Sequence, residues 1–377
     1  MSKNDEESSK IEIPDERRQE LFELARTLTG FCSPTGFEDR IRKYLVQRLK
    51  DRCEVTTDAM GNVMARIQGT GTSRRLTLMM AAHVDEIGFM VSFVTSDGFL
   101  RIVPLGGQNI RILPGQRVTI FHEDLNDDIK EITGVIAEKP IHLLSSDERK
   151  KLVKQEELFV DIGVHSKEEA LEIISIGDHA TFTRQCDWLG PGKVFSCKAG
   201  DDRMGVLVEL LVLEHFIEHP PPVDIVATFT VQEEIGTRGA IPSSFTIDPD
   251  MAIVLEVTHA IDFPGISKEK FGDVSLGKGP AIAVGPNLHP RMTRFIIRHA
   301  REAGIPHQVE VENRPTGTDA RAIQVTRGGV ATALVSIPLR YMHTNIEVID
   351  PIDLDAAIAL ITGVIEKLPG DALPLNL

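Results

Sequence analysis

Residues 203–234, RMGVLVELLVLEHFIEHPPPVDIVATFTVQEE, are the stretch on which the fold turns. Arg203–His219 reads as a helix, and Val223–Val231 as an apolar strand that runs into Gln232-Glu233-Glu234. An apolar strand following an apolar helix implies cover on both faces, the condition of a parallel sheet in an α/β protein. The alternation continues downstream: strand Met251–Val257, a further candidate at Gly279–Val284, helix His289–Gly304, strand His307–Val311, helix Asp319–Gly328, strand Val330–Ile337 and helix Ile352–Leu368. Upstream, Asp15–Thr29 and Glu38–Lys50 carry apolar residues at helical spacing, and strand-like runs follow at Gly61–Ile67 and Arg75–Ala82. The pattern predicts an α/β fold with a mostly parallel central sheet flanked by helices.

Between these halves the texture changes. From Val91 to Thr183 short β-rich pieces are punctuated by glycines (Gly106-Gly107, Gly115, Gly134, Gly163, Gly177) and charged loops, with one helical piece at Lys167–Ser175. This reads as a small β-rich domain, 91–183, inserted into a discontinuous α/β domain made of 15–90 and 184–377. The polar, charged stretch 1–14 reads as a disordered tail.

Composition narrows the function by exclusion. The 377 residues are 42% hydrophobic, enough for a sizeable core, and 41 Lys+Arg against 56 Asp+Glu leave a formal net charge of −15. That balance disfavours nucleic acid, whose phosphates call for a basic face, and equally an anionic membrane surface. No apolar run approaches the ~20 residues of a spanning helix, and no apolar signal-peptide core follows the start, so a soluble cytoplasmic protein is expected. Cys32, Cys53, Cys186 and Cys197 show no close pairing along the chain, which suggests neither a disulfide framework nor a cysteine zinc site. Aromatic residues, at 5%, argue against a sugar- or base-stacking groove.

Sites in open α/β sheets form beyond the carboxyl ends of the strands. Read only at those positions, the chain offers a short set. Arg75–Ala82 leads into His83-Val84-Asp85-Glu86, Val223–Val231 into Glu233-Glu234, Met251–Leu255 into Glu256, and Val330–Ile337 is followed by Arg340-Tyr341-Met342-His343. Asp201-Asp202 stands at the start of helix Arg203–His219, where a carboxylate suits the helix N-terminus. Each motif alone has an ordinary reading as a polar loop, a helix cap or a salt bridge. Adjacent carboxylates such as Glu233-Glu234 repel unless a cation or proton lies between them. Imidazoles and carboxylates without cysteine suit zinc, cobalt or manganese, and Asp85 is spaced to accept the second ring N–H of His83.

The ordered motifs Ala82-His83-Val84-Asp85-Glu86-Ile87-Gly88, Asp201-Asp202-Arg203-Met204-Gly205, Val231-Gln232-Glu233-Glu234-Ile235-Gly236, Gly317-Thr318-Asp319-Ala320 and Arg340-Tyr341-Met342-His343 resemble those of the TET-type dinuclear metallo-aminopeptidases. That family takes in glutamyl, leucyl and deblocking aminopeptidases and members named endoglucanase M. The resemblance implies two divalent ions per subunit, zinc or cobalt, bridged by Asp201. His83 and Glu256 would complete one centre, Glu234 and His343 the other. It further implies hydrolysis of N-terminal peptide bonds by a metal-bridged water with Glu233 as general base, a cis peptide at Asp201–Asp202, and an insert that acts as dimerisation and lid domain. Peptides would be the substrates, and dimers would build a hollow dodecamer.

Three departures stand out. Glu256 occupies a position where the family has aspartate, which resembles the deacylases and carboxypeptidases of the wider clan and keeps hydrolysis of N-acyl amino acids as an alternative. Ala199-Gly200-Asp201 replaces Ala-Leu-Asp, and Thr344-Asn345 replaces Ser-Pro. A glycoside hydrolase needs two carboxyls about 5–9.5 Å apart across a sugar bond, a poor match to carboxylates clustered with histidines. A non-catalytic assembly protein is the reading from a different class, and a competent ligand type at every proposed position argues against it.

Overall fold

The computed structural model describes residues 12–71, 75–123 and 129–369. The tail expected over 1–14 lies outside these residues except for 12–14. Helices α1 (Asp15–Thr29) and α2 (Asp39–Leu49) lead into strands β1 (Glu54–Thr57), β2 (Val63–Ile67) and β3 (Thr77–His83). Then come β4 (Gly88–Val94), β5 (Leu100–Leu105), β6 (Arg117–Glu123), β7 (Ile129–Ala137), β8 (Phe159–Asp161), helix α3 (Lys167–Leu171) and β9 (His179–Phe182). A hairpin of β10 (Cys186–Leu189) and β11 (Val194–Cys197) precedes α4 (Gly200–Glu218), β12 (Asp224–Thr230), α5 (Ala240–Ile247) and β13 (Met251–His259). The chain ends with α6 (Lys268–Phe271), β14 (Ala281–Val284), α7 (Pro290–Ala303), β15 (Gln308–Val311), α8 (Ala320–Ile323), β16 (Ala331–Leu339), β17 (Glu347–Ile349) and α9 (Pro351–Glu366).

The central sheet has eight strands in the order β1-β2-β12-β3-β13-β16-β14-β15. Its inner four, β12, β3, β13 and β16, run parallel, and antiparallel pairings join β1 to β2, β2 to β12, and β14 to β16. All seven residues of β12 are buried, which matches a strand covered on both faces. Helix α4 is mostly apolar and buried along most of its length, packing against β3 and β13 of the sheet and against α1 and α9. The site follows from this order. The carboxyl ends of β3, β12, β13 and β16 are neighbours, with Thr230 in register with His83 and Glu256 with Ser336.

Strands β4 to β9 close into an antiparallel barrel, in the order β4-β5-β8-β7-β6-β9, around an apolar core of its own that includes Phe89, Val91, Leu100, Ile120 and Phe182. Two helices are shorter than their patterns. The run from Lys167 stops at Leu171, where the chain turns so that Ile174 enters the barrel core. The run from Asp319 yields a helix ending at Ile323, and Val325, which extended the apolar periodicity, is 70% exposed. A three-stranded sheet, β10-β11-β17, has no counterpart in the sequence reading. No helix among the described residues is long and apolar enough to cross a membrane.

Candidate metal centre

The carboxylate of Asp201 stands between two imidazoles. Its Oδ1 is 3.0 Å from Nε2 of His83, and its Oδ2 is 3.2 Å from Nε2 of His343. Glu256 joins on the His83 side, with Oε1 3.6 Å from the same Nε2, and Glu234 on the other, with Oε2 3.5 Å from Nε2 of His343. The structure therefore gathers all five sequence-selected ligand candidates at one rim, from the end of β3, the loop after β12, the start of α4 and the loop after β16, with Glu256 within β13, which continues past the expected end to His259 because it stays paired with β16. Ligand atoms of His83, Asp201 and Glu234, and separately those of His83, Asp202 and Glu256, lie within 4.8 Å of one another. Asp202 is thus a further candidate, though its Oδ1 already accepts the N–H of Gly205 and its Oδ2 that of His83, at 3.0 and 3.3 Å. The Asp201–Asp202 peptide bond is cis.

Backbone-directed carboxylates hold this cluster in shape. Asp85, completely buried, accepts the N–H of Glu233 at 3.0 Å and of Glu234 at 3.1 Å. Nδ1 of His83 faces both the carbonyl oxygen of Asp85, at 3.2 Å, and its Oδ1, at 3.4 Å. On the opposite side Glu347 accepts the N–H of Asp201 at 3.2 Å and of His343 at 2.8 Å. Nothing in the sequence motifs drew attention to Glu347. Its carboxylate also packs close to Gly200, where an added Cβ would come within 3.0 Å of it. Nδ1 of His343 is 2.9 Å from the carbonyl oxygen of Gly107, so the loop after β5 of the barrel reaches the site.

The donor set fits divalent cations on electrostatic grounds. Burial and the proximity of Asp201 push Glu234 up to about 8, and burial together with Glu256, Asp319 and Asp201 pushes Glu233 up to about 10, although the His83 charge opposes both shifts. Burial disfavours the charged form of His343, but its contacts with Asp201 and Glu234 prevail and raise it to about 10. Asp201 is held below the usual carboxylate range, because hydrogen bonds and charge from the two histidines outweigh its burial. Such a crowd of carboxyls cannot ionise together in a dry rim without positive charge among them. Divalent cations supply that charge, and neutral imidazoles with ionised carboxylates are the ligands they take.

Other residues singled out by sequence fall elsewhere. Glu86 belongs to a buried ion pair with Lys198, at 2.7 Å. Arg340 and Asp262 form a two-pronged salt bridge, with both contacts at 2.7 Å, and Thr258 donates to Glu310 at 2.7 Å. Asp319 accepts from the Thr230 hydroxyl at 2.6 Å, and burial pushes it up to about 7.

Comparison with known proteins gives the family. Residues 61–360 match the model of the M42 glutamyl aminopeptidase family. The chain belongs to that family. A lysyl aminopeptidase of Pyrococcus furiosus is 39% identical over 363 residues, which span 94% of this chain and 99% of that one. A TET aminopeptidase from a marine sediment archaeon of the Thaumarchaeota superposes with a TM-score of 0.86 at 33% identity, covering 93% of this chain and 97% of that one. A Pyrococcus horikoshii TET1 peptidase, which can assemble into a tetrahedron or a large octahedral shell, gives 0.80 at 30% identity over 92% of this chain and all of that one. M42 membership makes the chain a peptide hydrolase of metal-dependent exopeptidase type, with the α/β fold and barrel insert of the TET enzymes.

Proposed function

We propose that the chain removes N-terminal residues from peptides and that its rim holds two divalent ions, zinc or cobalt. The observation that carries this reading is the Asp201 carboxylate, which spans His83 and His343 with one glutamate on each side. His83, Asp201 and Glu256 would hold one ion, and Asp201, Glu234 and His343 the other. The ions supply Lewis acidity to a peptide carbonyl and to water at neutral pH. Glu233 is the proton carrier of the pair Glu233-Glu234: it takes a proton from the attacking water and delivers it to the leaving amine. Positive charge held beside it lowers its carboxyl from the raised value of the bare cluster toward the working range. Asp85 acts through its neighbours, by fixing the backbone of Glu233 and Glu234 and the ring of His83.

The barrel insert is proposed to mediate self-association into dimers that build a dodecamer, and to form a lid over the rim. The assemblies of the TET relative support this, as do the exposed Ile141, Leu143 and Leu152 on the insert. Peptides are the substrates and the cytoplasm is the proposed location. Light scattering at the mass of a monomer would overturn the assembly reading.

The decisive test is a panel of aminoacyl-anilides against N-acyl amino acids, with chelation and readdition of zinc or cobalt. Release from the anilides supports the aminopeptidase reading. Cleavage confined to N-acyl amino acids would instead favour the deacylase chemistry raised by Glu256. Glu233→Gln is expected to lower kcat about 10²–10⁴-fold, the usual contribution of a positioned acid–base group, with bound metal unchanged.

A further inference from the structure

Two of the four cysteines, distant from each other in motif terms, meet across a strand pair. Cys186 on β10 is the register partner of Cys197 on β11, and Cys197 in turn faces Glu347 on β17. Directly opposed residues of an antiparallel pair point to the same face of the sheet, with Cα atoms ~4.5–5.5 Å apart. That separation lies within the 4.4–6.8 Å a disulfide requires. Cys186, Cys197 and Glu347 therefore form a row on one face, with the buried Cys197 in the middle. All four thiols are free in this structure.

The outer member of the row is reachable. Cys186 is half-buried and lines a cavity of about 470 Å³ with Arg117, Arg184 and Asn345. It also lines one of about 360 Å³ with Arg26 and Arg184. Arg117, Arg184 and Arg26 stand around the openings together with Asp187, and Arg184 and Arg26 also pair with Glu131 and Glu23. The Cys197 thiol, the Thr29 hydroxyl and the Arg26 charge favour the Cys186 thiolate and outweigh its burial, whereas the partner bond to Cys186 and burial push the Cys197 thiol up. The half-buried thiol that lines the cavities is thus the nucleophile and the fully buried one its resolving partner.

We propose that Cys186 and Cys197 form a reversible redox site, closed by a small-molecule disulfide, which acts on the metal centre through Glu347. The Cys186 thiolate attacks one sulfur of the disulfide RSSR, whose S–S bond breaks to release one RS⁻. Cys197 then loses its proton and attacks the Cys186 sulfur of the mixed disulfide, expelling the second RS⁻. Both leaving thiolates take up the protons lost by the cysteines, so two Cys–SH and RSSR give Cys–S–S–Cys and two RSH. The new bond draws the Cys197 side chain toward Cys186 and away from Glu347. Glu347 holds the N–H groups of both Asp201 and His343, and β11 runs into Asp201 through Lys198, Ala199 and Gly200. Disturbing such a supporting carboxylate costs about 10–100-fold in metal affinity or activity.

The test equilibrates the zinc-loaded, full-length protein in glutathione buffers of rising oxidised fraction. Its first readout, independent of turnover, is the free-thiol count and a non-reducing peptide map. Free thiols are expected to fall from four to two with a Cys186–Cys197 cross-link, reversed by dithiothreitol. Zinc transfer to a chromophoric chelator is expected to become at least about tenfold more complete in the oxidised form. Cys186→Ser and Cys197→Ser are expected to keep basal zinc affinity and lose the response to oxidant. Absence of the cross-link in wild-type protein under fully oxidised glutathione overturns the site. A cross-link with unchanged zinc transfer overturns its action on the metal centre. The thiol count and peptide map stand alone, whereas the zinc-transfer arm rests on the proposed metal centre: failure of the reduced protein to bind zinc would count against that reading and leave the cross-link result standing.

Discussion

Replacing Asp85 by asparagine isolates the role of one buried charge. The carboxylate is completely buried and accepts two backbone N–H groups, those of Glu233 and Glu234, at 3.0 and 3.1 Å, while facing Nδ1 of His83. Burial would raise its pKa, but the contacts with His83 and with the backbone N–H groups of Glu233 and Glu234 hold it below its ordinary value, which favours the charged form. Asparagine keeps one carbonyl oxygen and turns an NH₂ group toward the remaining donor. One charge-assisted hydrogen bond is lost and one N–H is left unsatisfied, a cost of about 1.5–3 kcal/mol. Because every 1.4 kcal/mol is a factor of ten, misplacement of Glu233, Glu234 and His83 should weaken zinc binding or kcat by about 10–100-fold. The assay pairs zinc competition against a chromophoric chelator with kcat and KM on the best aminoacyl-anilide, after circular dichroism shows the variant folded. If D85N binds zinc and turns over within about twofold of the parent, the charge of Asp85 does not orient the site, and the reasoning from its hydrogen bonds fails.

Two further expectations concern stability. Glu209, fully buried in α4, accepts the N–H of Thr228 at 2.8 Å, and burial pushes it up to about 8. The native state keeps this proton when the unfolded chain has released it, so unfolding free energy should fall as pH rises from about 4.5 to about 8. Glu209→Gln, which cannot ionise, should flatten that stretch of the pH profile and gain several kcal/mol above pH 8 relative to the parent, measured by urea denaturation of the metal-free protein; a profile unchanged by the substitution would contradict this account. Gly205 lies under the Asp202 carboxylate so closely that a Cβ would collide with both of its oxygens. Gly205→Ala should therefore displace Asp202, cost about 1–3 kcal/mol of overpacking and lower the zinc content of purified protein; wild-type metal content and stability would show that the rim yields freely.

Much of the architecture was legible because its signals are local. The apolar run Val223–Val231 and the helix before it could be read as a covered strand and a buried helix, and both are buried in the structure. Periodicity failed where it was cut off by exposure, as at Val325, or by the turn that sends Ile174 into the barrel. The short strands β10, β11 and β17 carry too few residues for a period to register, and β17 joins the β10–β11 hairpin from far along the chain.

The site divides along the same physical line. A motif at the end of a strand announces itself, because strand ends are where an α/β sheet opens to solvent and ligands; His83, Asp85, Glu233, Glu234, Glu256 and His343 were all found in that way, with Asp201 at a helix start. Glu347 and the Cys186–Cys197 pair carry no motif. Their importance depends on which backbone N–H a carboxylate meets and which strand lies opposite, and these are properties of register. Residue types along the chain were enough to establish what kind of chemistry is present. Only the pairing of β17 with β11 decided which groups hold that chemistry in place, because Glu347 meets the Asp201 N–H, 146 positions away in the chain, only once that sheet has formed.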